Sequence, residues 1–299
     1  MDILMSFVMP AFVGVGVGIL SGMLGIGGGT VLVPLFRLLF DMSPIVSTAT
    51  SLFTIIPTSI SGAVSHLRHK TCVPSLGIAA GLGGACTSAL GVWLAHISPA
   101  WMVMLAAALI IGYSAINMLR KAWKMKPKKA ATTDSLNVSV EQQIDTSDNE
   151  NASNQGDAAD ASSNSRATTA AVKLTRKQLL IGVAIGLGAG VASGYVGVGG
   201  GFIMVPLMLS LLGISMKQAS GTSLIAVMIL AVPGVIEQGF LGNINYAAGI
   251  AVAIGSIPGA LIGARLVRRV PERALRFIFG GFLIVGAVML VVNELGIVG

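Results

Sequence analysis

The chain has 299 residues, 54% of them hydrophobic and only 10% charged, with a mean hydropathy of +0.85 and a formal net charge of +7. A soluble domain carries roughly 25% charged residues, so the composition excludes an ordinary soluble enzyme and indicates an all-α polytopic membrane protein. The basic residues stand in short clusters beside apolar segments, which is how they set membrane orientation; they do not form a nucleic-acid footprint. Cys72 and Cys86 are too few for a disulfide framework or a thiolate metal site.

Ten apolar segments follow in chain order, at 6–26, 29–40, 45–65, 73–95 and 101–119, then at 178–198, 201–212, 217–237, 245–267 and 273–293. No Lys or Arg precedes the first, so it reads as a retained helix rather than a cleaved signal. Most are long enough for a hydrocarbon core of roughly 30 Å, which takes about 20 residues. The second segment of each half has about a dozen, the length of a half-helix or re-entrant piece. Pro34 and Pro206 lie inside these short segments and are expected to interrupt them.

Residues 121–177 separate the two sets. They run from a lysine cluster (Lys121, Lys124, Lys126, Lys128, Lys129) through Ser, Thr, Asn, Asp and Ala to Lys173, Arg176 and Lys177. Such a stretch has too little apolar surface to order itself and reads as a disordered polar linker. The chain thus divides into an N-terminal transmembrane repeat (1–120), the linker, and a C-terminal transmembrane repeat (178–299).

The halves are copies of one unit. "SGMLGIGGGTVLVPL" at 21–35 matches "SGYVGVGGGFIMVPL" at 193–207, and "TSL" recurs at 50–52 and 222–224. At a constant offset of 172 residues, 25 of the 86 positions from 14 to 99 are identical without a gap, which marks a duplication. The charges of the halves are opposed. In the first, the loop after segment 3 carries His66, Arg68, His69 and Lys70, and "AHISPA" carries no Lys or Arg. In the second, "EQGFLGNINY" carries none, whereas "ARLVRRVPERALR", where segment 9 meets segment 10, carries Arg265, Arg268, Arg269, Arg273 and Arg276. With every basic loop in the cytoplasm, the linker is cytoplasmic, both termini are outside and the repeats are inverted. Inverted repeats with discontinuous helices are typical of secondary transporters, whose sites lie near the midplane.

The glycine triplets Gly27, Gly28, Gly29 and Gly199, Gly200, Gly201 fall where segment 1 meets segment 2 and where segment 6 meets segment 7. Irregular backbone at membrane depth persists only where it is buried or lines a cavity. The short helix that follows offers free N–H groups and a positive dipole end. In an inverted pair the two breaks can converge into a site for a small anion. Ser21 and Ser193 precede the breaks; Thr50, Ser51, Thr222 and Ser223 lie in segments 3 and 8. Their hydroxyls either donate to the ligand or bond within the helix packing. The small-xxx-small series Gly18/Gly22, Gly190/Gly194 and Gly255/Gly259/Gly263 read as helix contacts. A dinucleotide loop is excluded, because both flanks are membrane segments. Glu237 near the end of segment 8 and His66 near the end of segment 3 are the candidates for proton coupling. Nothing resembles a catalytic or metal-ligating constellation, and no cofactor is expected.

The doubled GxGGGxxxxP element, Gly25–Pro34 and Gly197–Pro206, with the TSL blocks that follow, resembles the TauE/SafE family of membrane permeases, often called sulfite exporters. The resemblance covers both apolar halves. It implies a permease of the bacterial plasma (inner) membrane, moving sulfite, sulfoacetate or another sulfur-containing organic anion. Together with the inverted repeats, the expectation is alternating access, the two halves rocking about an anion held at the glycine breaks. The alternatives are a passive anion channel and a membrane subunit that recruits a partner through the linker.

Overall fold

Ten α-helices and their connections make up the described residues, 2–124 and 176–294, of the computed structural model. They are α1 (Asp2–Leu24), α2 (Gly29–Phe40), α3 (Pro44–Arg68), α4 (Pro74–Ile97), α5 (Ala100–Lys124), α6 (Arg176–Val196), α7 (Gly201–Leu211), α8 (Met216–Phe240), α9 (Tyr246–Leu266) and α10 (Glu272–Glu294). All ten belong to one unit. Most of the 121–177 linker lies outside the described residues, but its ends do not: α5 continues to Lys124 and α6 begins at Arg176, so both helices extend into what composition alone assigns to the linker.

Among the described residues six helices, within α3, α4, α5, α6, α8 and α9, are long and apolar enough to cross a membrane. The 12 residues of α2 and the 11 of α7 reach only about 18 and 16 Å at 1.5 Å per residue. Neither crosses a core of roughly 30 Å. Pro34 and Pro206 sit inside continuous helix, contrary to expectation. Each lies at the sixth position of its helix, so its missing N–H removes only one intrahelical bond, and the short helix closes around it.

The main helix pairings recur when the halves are exchanged. The α1–α9 contact has its counterpart in α4–α6, α3–α9 in α4–α8, and α2–α3 in α7–α8, while α3 packs on α8 and α5 on α10. The α1–α9 and α4–α6 pairs owe their closeness to glycine. A Cβ at Gly14, Gly18 or Gly22 would strike the backbone of Val252, Ser256 or Ala260; one at Gly255, Gly259 or Gly263 would strike Ala11, Val15 or Ile19. In the other pair, Gly186, Gly190 and Gly194 meet the backbones of Ala80, Gly84 and Ser88, each 172 residues from its equivalent. The small-xxx-small series are therefore helix contacts. Lipid offers no hydrophobic drive between helices, so close backbone packing supplies the attraction.

The central pair is α3 and α8. The start of α8 lies beside the end of α3, where a Cβ on Gly221 would come within 2.8 Å of His66 Nδ1. The start of α3 lies beside the chain that follows α8, so the two helices run antiparallel. Most of α3 is buried, including its hydroxyl residues. Thr54 and Thr58 donate to the carbonyls of Thr50 and Thr54 at 2.9 and 2.8 Å. Thr58 meets Ser256 at 2.5 Å, and Ser61 donates to Ile257 O at 2.6 Å. The polar face is inside and the apolar side chains Phe12, Leu109, Tyr113 and Ile254 are outside, the order that a lipid solvent imposes.

Candidate functional site

Both breaks use left-handed glycine. Gly25, Gly27 and Gly28 have φ of 76°, 80° and 86°; Gly197, Gly199 and Gly200 have 73°, 84° and 69°. Gly28 and Gly200 are the N-caps of α2 and α7, and neither has a side-chain cap. A side-chain-bearing residue in this region costs roughly 1–2 kcal/mol, which is why the motif is glycine at these points. The first bonds of α2 run from Val31 and Leu32 to Gly28 O, so the N–H groups of Gly29 and Thr30 precede the helical ladder. In α7, Ile203 and Met204 bond to Gly200 O, and Phe202 N–H precedes the ladder.

The two breaks touch. A Cβ on Gly29 would lie 2.5 Å from Val198 O, and one on Gly201 would lie 2.5 Å from Gly25 O and 2.9 Å from Ile26 Cα. Each short helix thus starts against the backbone of the opposite break. Ile55 of α3 and Val227 of α8, related by the 172 offset, both pack on Gly27 and on Gly199. Thr48 sits against Gly197 as Ser220 sits against Gly25. None of these four stood out in the sequence, although their common offset is a signal that could have found them.

Ser21 and Ser193 are fully buried, and their side chains lie beside Gly28 and Gly200. Neither Oγ has a hydrogen-bond partner among the described residues; the same holds for Ser51, Ser59 and Thr30. An unpaired buried hydroxyl costs about 1–3 kcal/mol, so this repeated pair is a standing capacity to donate. Ser223 behaves differently from its equivalent Ser51: its Oγ donates to Gly25 O at 2.7 Å and approaches Ser220 O at 2.9 Å.

Thr50 and Thr222 serve the packing in this structure. Thr222 Oγ1 accepts from Val73 N at 2.9 Å, and Thr50 Oγ1 accepts from Asn245 N at 3.0 Å. The donors are themselves 172 residues apart and are the N-caps of α4 and α9. These threonines pin the helix starts away from the breaks.

His66 is buried, with Nε2 2.9 Å from Gly22 O and Nδ1 2.7 Å from Thr71 Oγ1. Facing a carbonyl, Nε2 carries the proton and donates. The equivalent of His66 by the offset is Gln238, which accepts from Asn243, the equivalent of Thr71, at 2.7 Å. Glu237 precedes it, with Oε2 buried and without a hydrogen-bond partner among the described residues. Glu237 and His66 lie at opposite ends of the antiparallel α3–α8 pair and do not form one cluster. Among the described residues no His, Cys, Asp and Glu group could hold a metal ion.

Repeated glycine breaks in direct contact, each opening a short helix, therefore carry the doubled motif. The sequence profile of the family described as sulfite exporter TauE/SafE matches residues 10–290. The chain belongs to the TauE/SafE family. Similar proteins include the probable membrane transporter protein YdhB of Bacillus subtilis (28% identity; 87% of this chain, 89% of the relative) and YunE of the same organism (26%; 91% and 92%). A probable membrane transporter protein of Haemophilus influenzae is 30% identical over 92% of this chain and 94% of its own length. No solved structure gives a significant match. This TauE/SafE protein is thus a multi-pass membrane transporter and not an enzyme.

Proposed function

We propose that this chain is a secondary transporter that moves a small anion, sulfite or an organosulfonate, across the plasma membrane of a bacterium by alternating access. The observation that carries the reading is the contact between the two glycine breaks, flanked by the buried, unpaired hydroxyls of Ser21 and Ser193. The free N–H groups at the starts of α2 and α7, with these hydroxyls, are donors without a fixed charge, suited to an oxyanion at membrane depth. Gly27, Gly28, Gly29, Gly199, Gly200 and Gly201 supply the backbone of the site, and Ser51 adds a third hydroxyl. Ile55 and Val227, which pack on Gly27 and Gly199, form its apolar wall. Antiparallel packing of the equivalent helices α3 and α8 supports inverted repeats, and the basic loops then put the linker in the cytoplasm and both termini outside. Glu237, with its buried and unpaired Oε2, is the group assigned to proton coupling.

The test is anion uptake into proteoliposomes, with sulfite, sulfate, sulfoacetate and taurine compared with and without a pH gradient. Ser21→Ala and Ser193→Ala each remove one donor without disturbing the backbone. Each should raise the KM for the preferred anion about tenfold, from a hydrogen bond worth about 1.5 kcal/mol, with thermal stability no lower than that of the wild type. Unaltered KM in both variants would place the anion elsewhere. Glu237→Gln should keep uptake but remove its response to the pH gradient.

A further inference from the structure

A second feature lies away from the breaks, where α3 and α9 end. His69, Ile262, Arg265, Leu266, Arg268 and Arg269 line a cavity of about 590 Å³, within the roughly 300–1,000 Å³ that small-ligand sites occupy. Arg268 Nη1 lies 3.2 Å from His69 Nδ1, and the Arg268 carbonyl accepts from Lys217 Nζ at 2.9 Å. These contacts hold the rim. The side chains of Arg265 and Arg269 make no hydrogen bond or ion pair among the described residues. Glu272, the next acid along the chain, is already engaged by Arg276 Nη2 at 2.7 Å and by Met216 N at 3.3 Å. Three guanidinium groups thus line a cavity with no carboxylate among its walls.

The remaining walls are apolar. Ile262 and Leu266 are 50% and 40% exposed, and the exposed face of α9 continues away from the arginines through Ile257 and Ile254. A free anion needs only the guanidinium groups. A basic cavity that opens onto an apolar helix face fits a molecule with an anionic head and hydrocarbon chains. We propose that this cavity binds the phosphodiester headgroup of an anionic phospholipid, with Arg265 and Arg269 on the phosphate and the acyl chains along Ile262, Ile257 and Ile254. Guanidinium pairs with phosphate in a two-point geometry, and basic pockets between transmembrane helices are suited to such headgroups.

Native mass spectrometry of the full chain in detergent tests this, with phosphatidylglycerol and phosphatidylcholine added in equal amounts. The wild-type protein should retain phosphatidylglycerol in preference. Arg265→Ala and Arg269→Ala should each reduce that preference about fivefold, and together about 25-fold. Arg273→Ala removes a cation that instead stacks on Phe277, 5.7 Å from its ring centroid, and should leave the preference intact. Ile262→Glu keeps every arginine but puts a negative charge in the cavity; it should abolish the preference even if the double variant does not fold. Equal retention of phosphatidylglycerol by the wild type and Ile262→Glu would overturn the proposal. So would displacement of the lipid by millimolar inorganic phosphate, which would make this a site for free anions.

Discussion

Replacing Gly201 by Ala tests whether the two breaks support each other. Gly201 has ordinary helical φ, so strain in the left-handed region plays no part. The new Cβ would sit 2.5 Å from Gly25 O and 2.9 Å from both Ile26 Cα and Ile26 O. Ordinary contact begins at 3.4 Å, so the opposite break must retreat by about 0.9 Å. The obstructing atoms are backbone, and no rotamer change relieves them. Overpacking of this kind costs about 1–3 kcal/mol, and the absence of a flexible neighbour puts this site near 3. Gly188→Ala is the matched control: it lies on an exposed face of α6 with open space around it, and should stabilise the helix by about 1 kcal/mol. The assay is the thermal unfolding midpoint of purified protein in detergent, read beside anion uptake in vesicles. The Gly201 variant should melt lower than wild type and lose uptake, while the Gly188 variant should do neither. If the two variants melt alike, the breaks do not bear on one another and the packing argument fails.

Thr222→Val keeps the side-chain shape but leaves Val73 N without its acceptor, and Thr50→Val does the same to Asn245 N. Each should lower stability by about 1–2 kcal/mol, measured by thermal unfolding, with no change in KM. His66→Gln gives α3 the residue that α8 carries at Gln238, and its amide can still donate to Gly22 O. It should retain stability and leave the pH dependence of uptake as it was; a lost pH response would make His66 the coupling group.

Much of the architecture was legible because the duplication is gapless: the glycine triplets, the short second segments and the small-residue contacts all follow from a pattern that occurs twice. The use of the hydroxyl residues was less legible. The partner of Thr222 is a backbone N–H 149 residues earlier, and that of Thr50 lies 195 residues later. No local pattern separates such a pin from a ligand-facing hydroxyl. The interrupted helices expected at Pro34 and Pro206 failed for a different reason. A proline at one interior position removes a single N–H from the ladder, and here the helix continues through it, as the longer α3, α8 and α9 do through Pro57, Pro233 and Pro258. Ile55 and Val227 were hidden by their ordinariness, as apolar residues in apolar segments that matter only through what they face.

The unequal treatment of Ser223 and Ser51 has a thermodynamic consequence. Ser223 is tied to Gly25 O, while the Oγ of Ser51, in the same position of the other half, has no hydrogen-bond partner among the described residues. On the proposed alternating-access reading, exchange of the two roles would replace one hydrogen bond by another of the same kind. The term this pair contributes to the difference between the two arrangements is on the order of one net hydrogen bond, about 1 kcal/mol, and a ligand that prefers one arrangement by a modest factor offsets it.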